Sequence, residues 1–317
     1  NVTLQHGLLD KLGPALHSGR AIFIYGPPGA GKTYICQKLA TLFDDDILIP
    51  HAISVGETVI QVFDPVYHQL RADNTDTGKV MLLQGHDPRY ARCHRPAVMT
   101  GGELTLDMLE LSYDTDTKQY QAPLQLKANN GVFMIDDLGR QRVAPVDLLN
   151  RWIVPLELRL DFLTLQTGKK IEVPFDQLLV FSTNLDPRDL VDEAFLRRIR
   201  HKLMIGNPDE KQYYQIMQKE CAAHRLELSR DAFVHLMQRH YIDEGRTMRS
   251  CHTRDLIDQI RDISTFLGIQ PVLSNEMIGV MPLPPANKKS GVLARVSGSS
   301  TKRPSGTLAR TLSPTFR

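Results

Sequence analysis

The chain lacks the features of two large classes of protein. Its 317 residues contain only four cysteines, scattered without a Cys-x-x-Cys pair: Cys36, Cys93, Cys221 and Cys251. We therefore expect isolated, reduced thiols rather than a disulfide framework or a zinc site. The longest apolar runs are the length of a strand, too short to cross a bilayer, and no signal-peptide pattern is present. These absences predict a cytoplasmic protein without a membrane span.

Acidic residues are missing from the C-terminal end. No Asp or Glu follows Glu276, whereas seven basic residues do: Lys288, Lys289, Arg295, Lys302, Arg303, Arg310 and Arg317. Because the whole chain carries a formal charge of +2, the part before these seven cations sums to about −5. A nucleic-acid-binding core is therefore not expected, although the basic tail could contact an acidic partner.

The remaining composition, with 42% hydrophobic and 23% charged residues, is that of a globular protein with a substantial core. Its pattern predicts an α/β domain over residues 1–206 and a small all-helical domain over 207–281. Three helical patterns indicate the second domain, at residues 213–226, 231–241 and 253–267. Residues 282–317 have the composition of a disordered tail. Two similar tail segments, GVLARVS and GTLARTL, are either partner motifs or a coincidence of low complexity.

A glycine-rich loop follows the apolar run at residues 22–25. The sequence AIFIYGPPGAGKT fits the phosphate-binding pattern G-x-x-x-x-G-K-[ST]. Glycines let successive backbone N–H groups point at phosphate oxygens, and the following helix adds its positive N-terminal end. Lys32 would then reach the β and γ phosphates, and Thr33 would ligate Mg²⁺. The predicted nucleotide-binding residues are Gly26, Pro27, Pro28, Gly29, Ala30, Gly31, Lys32, Thr33 and Tyr34.

A second chemical landmark is GVFMIDD, at residues 131–137. Four apolar residues followed by two carboxylates predict a buried strand that brings Asp136 and Asp137 to the edge where open α/β sheets bind ligands. Paired carboxylates are costly at such an edge unless a cation lies beside them. In that arrangement Asp136 would hold the metal through water, and Asp137 would orient or deprotonate the attacking water.

Two further segments carry candidate functional residues. The apolar run at 178–181 ends in Ser-Thr-Asn, so Asn184 can reach a γ-phosphate or its water if the run is a central strand; otherwise it is a turn residue. Residues 194–205 hold Arg197, Arg198 and Arg200 in a short apolar frame. These arginines either form a solvated face or project into the nucleotide site of a neighbouring subunit.

Less specific patterns predict the rest of the α/β part. Residues 2–17 have helical spacing, and hairpins are expected at 106–113 with 120–126 and at 162–165 with 171–173. We interpret the acidic residues 44–46 as a solvated turn rather than a metal site. The basic residues 88–96 are an exposed loop or a phosphate or partner contact. The only tryptophan, Trp152, is expected in the core, within a helix that Pro155 distorts or ends.

The order of these segments resembles an AAA+ ATPase over about residues 1–281. In that family GPPGAGKT is the Walker A motif, MIDD the Walker B motif, and FSTN the sensor 1 segment with Asn184 at its tip. By position, Arg198 is similar to the arginine finger, with Arg197 the alternative, and CHTRDL resembles sensor 2, which nominates Arg254 to contact the γ-phosphate. The segments WIVPLE, VPFD and STNLDP resemble more narrowly the MoxR-like predicted ATPases with chaperone activity that are linked to pilus assembly.

The resemblance implies a P-loop AAA+ core with a mostly parallel sheet, followed by a helical lid. It also implies ATP and Mg²⁺ as ligands, a homo-oligomer in the form of a hexameric ring, and a protein partner that is remodelled. The sequence departs from the family where Asp137 replaces the usual Glu, and it lacks an aromatic-hydrophobic-glycine pore loop after the second strand. Two other hypotheses stay open, a nucleotide-gated scaffold with slow hydrolysis and a DNA-handling loader supported only by the basic tail.

Overall fold

The computed structural model describes residues 8–43, 45–71, 87–273 and 278. The N-terminal part of the predicted 2–17 helix, Asp44, and the tail with its two similar segments lie outside the described residues. Within the described ranges the strands are β1 (Ile22–Tyr25), β2 (Asp46–Pro50), β3 (Ala52–Val55), β4 (Thr58–Gln61), β5 (Tyr90–His94), β6 (Ala97–Thr100), β7 (Ser112–Asp114), β8 (Gln119–Gln121), β9 (Val132–Ile135), β10 (Leu160–Thr164), β11 (Lys170–Pro174), β12 (Leu178–Thr183) and β13 (His201–Met204).

The helices are α1 (Leu8–His17), α2 (Lys32–Ala40), α3 (Leu124–Lys127), α4 (Pro145–Arg151), α5 (Ile153–Leu158), α6 (Pro187–Leu190), α7 (Glu193–Arg198), α8 (Glu210–Ala223), α9 (Arg230–Leu236) and α10 (Ser250–Leu267). A 3₁₀ turn at Asp107–Leu109 and a π-helical segment at Met237–Ile242 complete them. None of the helices in the described ranges is long and apolar enough to cross a membrane.

The central sheet has five parallel strands in the order β13-β1-β12-β9-β6. Every residue of β9 and β12 is buried, because helices cover both faces of a parallel sheet. Alternating side chains supply two cores, one around Phe23, Phe133 and Phe181 and the other around Ile24 and Val180. Parallel strands end at the same edge, so the residues that follow β1, β9 and β12 lie close together there.

The tryptophan is fully buried in the first of these cores, as predicted, with its ring 5.9 Å from that of Phe133. The predicted helix around it is broken at Trp152, where α4 ends and α5 begins. Pro155 lies four residues after Arg151 and has no N–H to donate to that carbonyl, which accounts for the break. The predicted distortion is therefore present, one turn earlier than the proline itself.

Accessory strands flank the sheet, and they correct two predictions. The basic segment 88–96 is not an exposed loop, because most of it forms β5, which pairs antiparallel with β2. Arg92 donates to Asp46 of β2 at 2.6 Å, and Arg95 donates to Asp45 at 3.0 Å. Asp46 is likewise a strand residue rather than part of a solvated turn, and opposite charges meet across the pair of strands.

The two predicted hairpins are present with different lengths. Strands β10 and β11 pair antiparallel as expected, over five residues each rather than the four and three predicted. The earlier hairpin is confined to β7 and β8, because its outer parts form the 3₁₀ turn and α3. Strands β3, β4, β8 and β7 join into one four-stranded sheet.

The C-terminal part of the described chain is helical, as the three patterns predicted. Helices α8, α9 and α10 pack around a separate core that includes Tyr213, Phe233 and Leu256. Ser229 caps α9, because its hydroxyl accepts from the Ala232 N–H at 3.0 Å. Part of the second predicted helix adopts the π-helical segment. The sequence also predicts a short helix at 272–278, which falls largely outside the described residues.

Candidate functional site

The loop between β1 and α2 adopts a conformation that requires glycine. Gly26 has φ of 149°, and a Cβ there would lie 2.0 Å from the Ile205 carbonyl oxygen. Gly29 has φ of 79°, in the left-handed region that side chains disfavour. Gly31, also left-handed, precedes α2 directly. This geometry leaves the start of α2 facing the loop, the arrangement that binds anions at a helix N-terminus.

Lys32 begins α2 and is only 6% exposed. Its ammonium donates to the carbonyls of Gly26 and Pro27, each at 3.0 Å, and to Oδ1 of Asn184 at 2.6 Å. Burial lowers the pKa of Lys32, while Asp137 and then Asp136 oppose the shift. The positive charge is thus held at the centre of the group of predicted site residues.

Thr33 and Asp136 form the predicted metal-binding pair. The Thr33 hydroxyl donates to Oδ2 of Asp136 at 2.7 Å. Mg²⁺ prefers hard oxygen ligands and is usually held by one or two carboxylates together with phosphate oxygens and waters. These two residues therefore fit Mg²⁺ that arrives with a nucleotide. Among the described residues no group of three His, Cys, Asp or Glu could hold a metal ion without such added ligands.

Asp137 and Asn184 follow β9 and β12, and the structure brings them together. The Asn184 amide donates to Oδ1 of Asp137 at 2.9 Å, while its own oxygen accepts from Lys32. A continuous chain of polar contacts therefore joins Lys32, Asn184 and Asp137. Asp137 has φ of 50°, a left-handed conformation that is uncommon outside glycine.

The first turns of α10 lie against the phosphate-binding loop. The Cys251 N–H donates to the Gly29 carbonyl at 3.1 Å. Arg254 lies one turn further along α10 and is exposed. Arg249 also contacts this loop: its Cδ would lie 3.2 Å from a Cβ added to Gly29. Sequence reasoning missed Arg249, because nothing in the sequence shows which residue before α10 meets the loop.

The two candidate finger arginines end α7. Arg198 donates to Oε1 of Glu157 at 2.7 Å, and its side chain is 28% exposed. Arg197 pairs with Glu193 one turn earlier on the same helix and is 75% exposed. Both line a cavity of about 560 Å³ whose other lining residues are Arg20, Leu156, Glu157 and Arg200. This cluster is strongly basic, with four arginines against one glutamate.

The remaining loop residues surround these groups. Ala30 is buried, and its N–H donates to the Pro27 carbonyl at 3.4 Å. Tyr34 lies in the first turn of α2 with its ring partly exposed, and the Lys38 ammonium lies 5.6 Å from the ring centre.

Comparisons with known proteins bear on the fold. The chain is similar to NtrX from Brucella abortus in complex with ADP, with 12% identity and a TM-score of 0.51. The match covers 91% of this chain and 58% of the NtrX chain. A second NtrX structure gives a TM-score of 0.52 at 12% identity, covering 89% of this chain and 56% of that one. The chain thus spans less than three fifths of the length of the NtrX chains.

This chain has the P-loop AAA+ fold. A point mutant of Thermotoga maritima RuvB is also similar, with 15% identity, a TM-score of 0.49, and coverage of 86% of this chain and 67% of that one. A family model described as a domain of unknown function, DUF8689, matches residues 209–280. No curated protein sequence matches the chain.

Proposed function

We propose that this protein binds Mg²⁺·ATP at the loop before α2 and hydrolyses it. The observation that carries the proposal is the contact chain from Lys32 through Asn184 to Asp137, beside the Thr33–Asp136 pair. These are the groups that phosphoryl transfer needs: a cation at the phosphates, oxygen ligands for the metal, and a carboxylate for the water. The ADP in the NtrX structure supports a nucleotide as the ligand.

The proposed roles follow from chemistry. Backbone N–H groups of the loop and the Lys32 ammonium bind the β and γ phosphates, and Thr33 and Asp136 hold Mg²⁺, which neutralises charge on those phosphates. Asp137 orients the attacking water and accepts its proton, and Asn184 fixes that carboxylate. Arg254 contacts the γ-phosphate from α10. Positioning and electrostatics supply most of the rate in this chemistry, so the contacts among these side chains decide activity.

The proposal also includes an arginine supplied by a neighbouring subunit. Arg198 lies in a basic cluster at the end of α7, with Arg197 beside it. An arginine supplied in trans is worth roughly 10³ to 10⁵ in rate. By resemblance, the subunits form a hexameric ring, and hydrolysis changes the position of the helical lid to remodel or assemble a protein partner, as expected for a MoxR-like ATPase.

The test of this arrangement is specific ATPase activity measured against protein concentration. Activity per subunit should rise with concentration, and Arg198→Ala should lower the plateau by roughly 10³-fold or more without loss of nucleotide binding. Arg188→Ala, which removes another exposed arginine on the nearby α6, is the matched control. Flat specific activity that neither Arg198→Ala nor Arg197→Ala changes would remove the in-trans arginine from the proposal.

A nucleotide-gated scaffold is the second candidate, and Asp137 favours it. Aspartate is one methylene shorter than the glutamate usual at this position, so the carboxylate could bind Asn184 without reaching the water. In that case ATP binding drives assembly, and slow hydrolysis determines only how long the assembled state lasts. Mass determination with and without a non-hydrolysable ATP analogue separates the two, because an oligomer that binds ATP tightly without turnover supports the scaffold.

A further inference from the structure

One side-chain amide makes several contacts with the loop that follows β9. This carboxylate loop, residues 136–141, carries Asp136 and Asp137. Nε2 of Gln141 lies 3.1 Å from the Asp136 carbonyl and 3.3 Å from the carbonyls of Asp137 and Gly101. Oε1 of Gln141 accepts from the Gly139 N–H at 2.8 Å. The amide has two N–H groups, so the three carbonyls share them. The amide oxygen binds a backbone N–H of the same loop.

The contacts of Gln141 tie the carboxylate loop to a neighbouring strand. Gly101 directly follows β6, which pairs with β9 in the sheet. On the opposite side, the Leu138 N–H donates to the Ser182 carbonyl and the Thr183 hydroxyl donates to the Leu138 carbonyl, each at 2.7 Å. The loop is therefore fixed between β6 and β12. On the β6 side Gln141 adds to the bond from the Asp136 N–H to the Thr100 carbonyl, at 2.8 Å.

This restraint acts on a residue in an unusual conformation. Asp137 has φ of 50°, and its carbonyl and that of Asp136 both point at the Gln141 amide. A short aspartate has few torsions with which to correct a misplaced backbone. The position of its carboxylate, and its contact with Asn184, therefore depend more on the backbone than those of a glutamate would.

We propose that Gln141 is a positioning residue that sets the Asp137 carboxylate for the attack of water. The inference rests on the proposed hydrolysis. Loss of the Gln141 amide should leave nucleotide binding intact, since Asp136 is still held by the Thr33 hydroxyl and by its own N–H bond to the Thr100 carbonyl. It should slow the chemical step. A misplacement of about 1 Å can cost about 10²-fold in rate, so we expect kcat to fall by about 10- to 100-fold.

The experiment compares Gln141→Leu with Gln141→Glu, which keeps the shape but presents a carboxylate in place of the N–H donors. Gln166→Leu, an exposed glutamine in the turn between β10 and β11, is the matched control. Each variant is measured for kcat, for affinity toward a non-hydrolysable ATP analogue, and for hydrogen exchange of the peptide spanning 134–143. Gln141→Leu is also combined with Asp137→Asn, because two residues that act through one carboxylate should not be additive.

The inference predicts that both Gln141 variants lose turnover at unchanged analogue affinity, with faster exchange at 136–141. It also predicts that the double variant is no slower than Asp137→Asn alone. Unchanged turnover in Gln141→Leu, or fully additive losses, would overturn it. A wild-type protein that binds ATP without hydrolysing it would contradict the proposed function instead. In that case hydrogen exchange of the peptide 134–143 alone tests the role of Gln141. Faster exchange in the Gln141 variants supports the contact of Gln141 with the loop, and unchanged exchange overturns it.

Discussion

Protonation of one buried histidine should weaken the helical region as the pH falls. His252 lies in the first turn of α10 and is only 5% exposed. Its Nδ1 lies 3.0 Å from the Tyr241 hydroxyl, which in turn lies 2.7 Å from the hydroxyl of Tyr213. Burial, assisted by the positive charges of Arg249 and Arg246, lowers the pKa of His252 from 6.5 to about 4. The folded state therefore favours neutral histidine.

The sign and size of the effect follow from this shift in pKa. The free energy of unfolding has its full value above pH 6.5, where this histidine is neutral in both the folded and the unfolded chain. It decreases as the pH falls toward 4. The unfolded chain binds a proton in this range and the folded chain does not. Between pH 7 and pH 4.5 the linkage amounts to about 2 to 3 kcal/mol. That loss is a large fraction of the 5–15 kcal/mol typical of a folded protein.

Hydrogen exchange of the α10 amides is a suitable assay, with rates corrected for the intrinsic effect of pH. The opening free energy of wild-type α10 should fall between pH 7 and pH 4.5 by about 2 to 3 kcal/mol more than that of His252→Gln. His235→Gln, which removes a half-buried histidine from α9, is the matched control and should follow the wild type. Equal losses in the wild type and His252→Gln would refute the reasoning.

Two further predictions concern the site and the core. Gly26→Ala should abolish nucleotide binding, measured by titration calorimetry, because its methyl group would lie 2.0 Å from the Ile205 carbonyl oxygen. Retained binding would contradict this prediction, since it would show that the loop can move to accommodate the methyl group. Asp161→Ala should destabilise the α/β part by about 2 to 3 kcal/mol, because it removes the buried carboxylate that accepts from Arg151 at 2.6 Å and leaves that guanidinium with Glu110 as its carboxylate partner. Denaturant unfolding followed by the fluorescence of the single tryptophan measures this loss, and a change below 1 kcal/mol would contradict it.

The strands that carry the chemistry could be predicted from the sequence for a simple reason. Strands β9 and β12 are buried on both faces, so they appear as continuous apolar runs that end in polar residues. The meeting of Asp137 with Asn184 followed from the rule that parallel strands end at one edge. The contact of Lys32 with Asn184 spans 152 positions in sequence, and only the folded sheet shows it.

Other elements could not be predicted because their signals depend on distant partners. In β6 and β13, with sequences AVMT and HKLM, buried and exposed residues alternate, and neither strand has more than three consecutive apolar residues. The basic segment around Arg92 was misinterpreted as a loop because its acidic partner lies 46 residues earlier. Gln141 binds mainly carbonyl groups, which every residue carries, so no side-chain pattern could reveal its role.

The most direct test of the central claim compares phosphate release from Mg²⁺·ATP by the wild type and by Asp137→Asn at a protein concentration that saturates specific activity. Binding of a non-hydrolysable analogue is measured in parallel. Asparagine keeps the size of the side chain but cannot accept the proton of the attacking water. The account predicts that Asp137→Asn loses nearly all turnover while its affinity for the analogue stays within about twofold of the wild type. Turnover in Asp137→Asn equal to that of the wild type would contradict the assignment of Asp137.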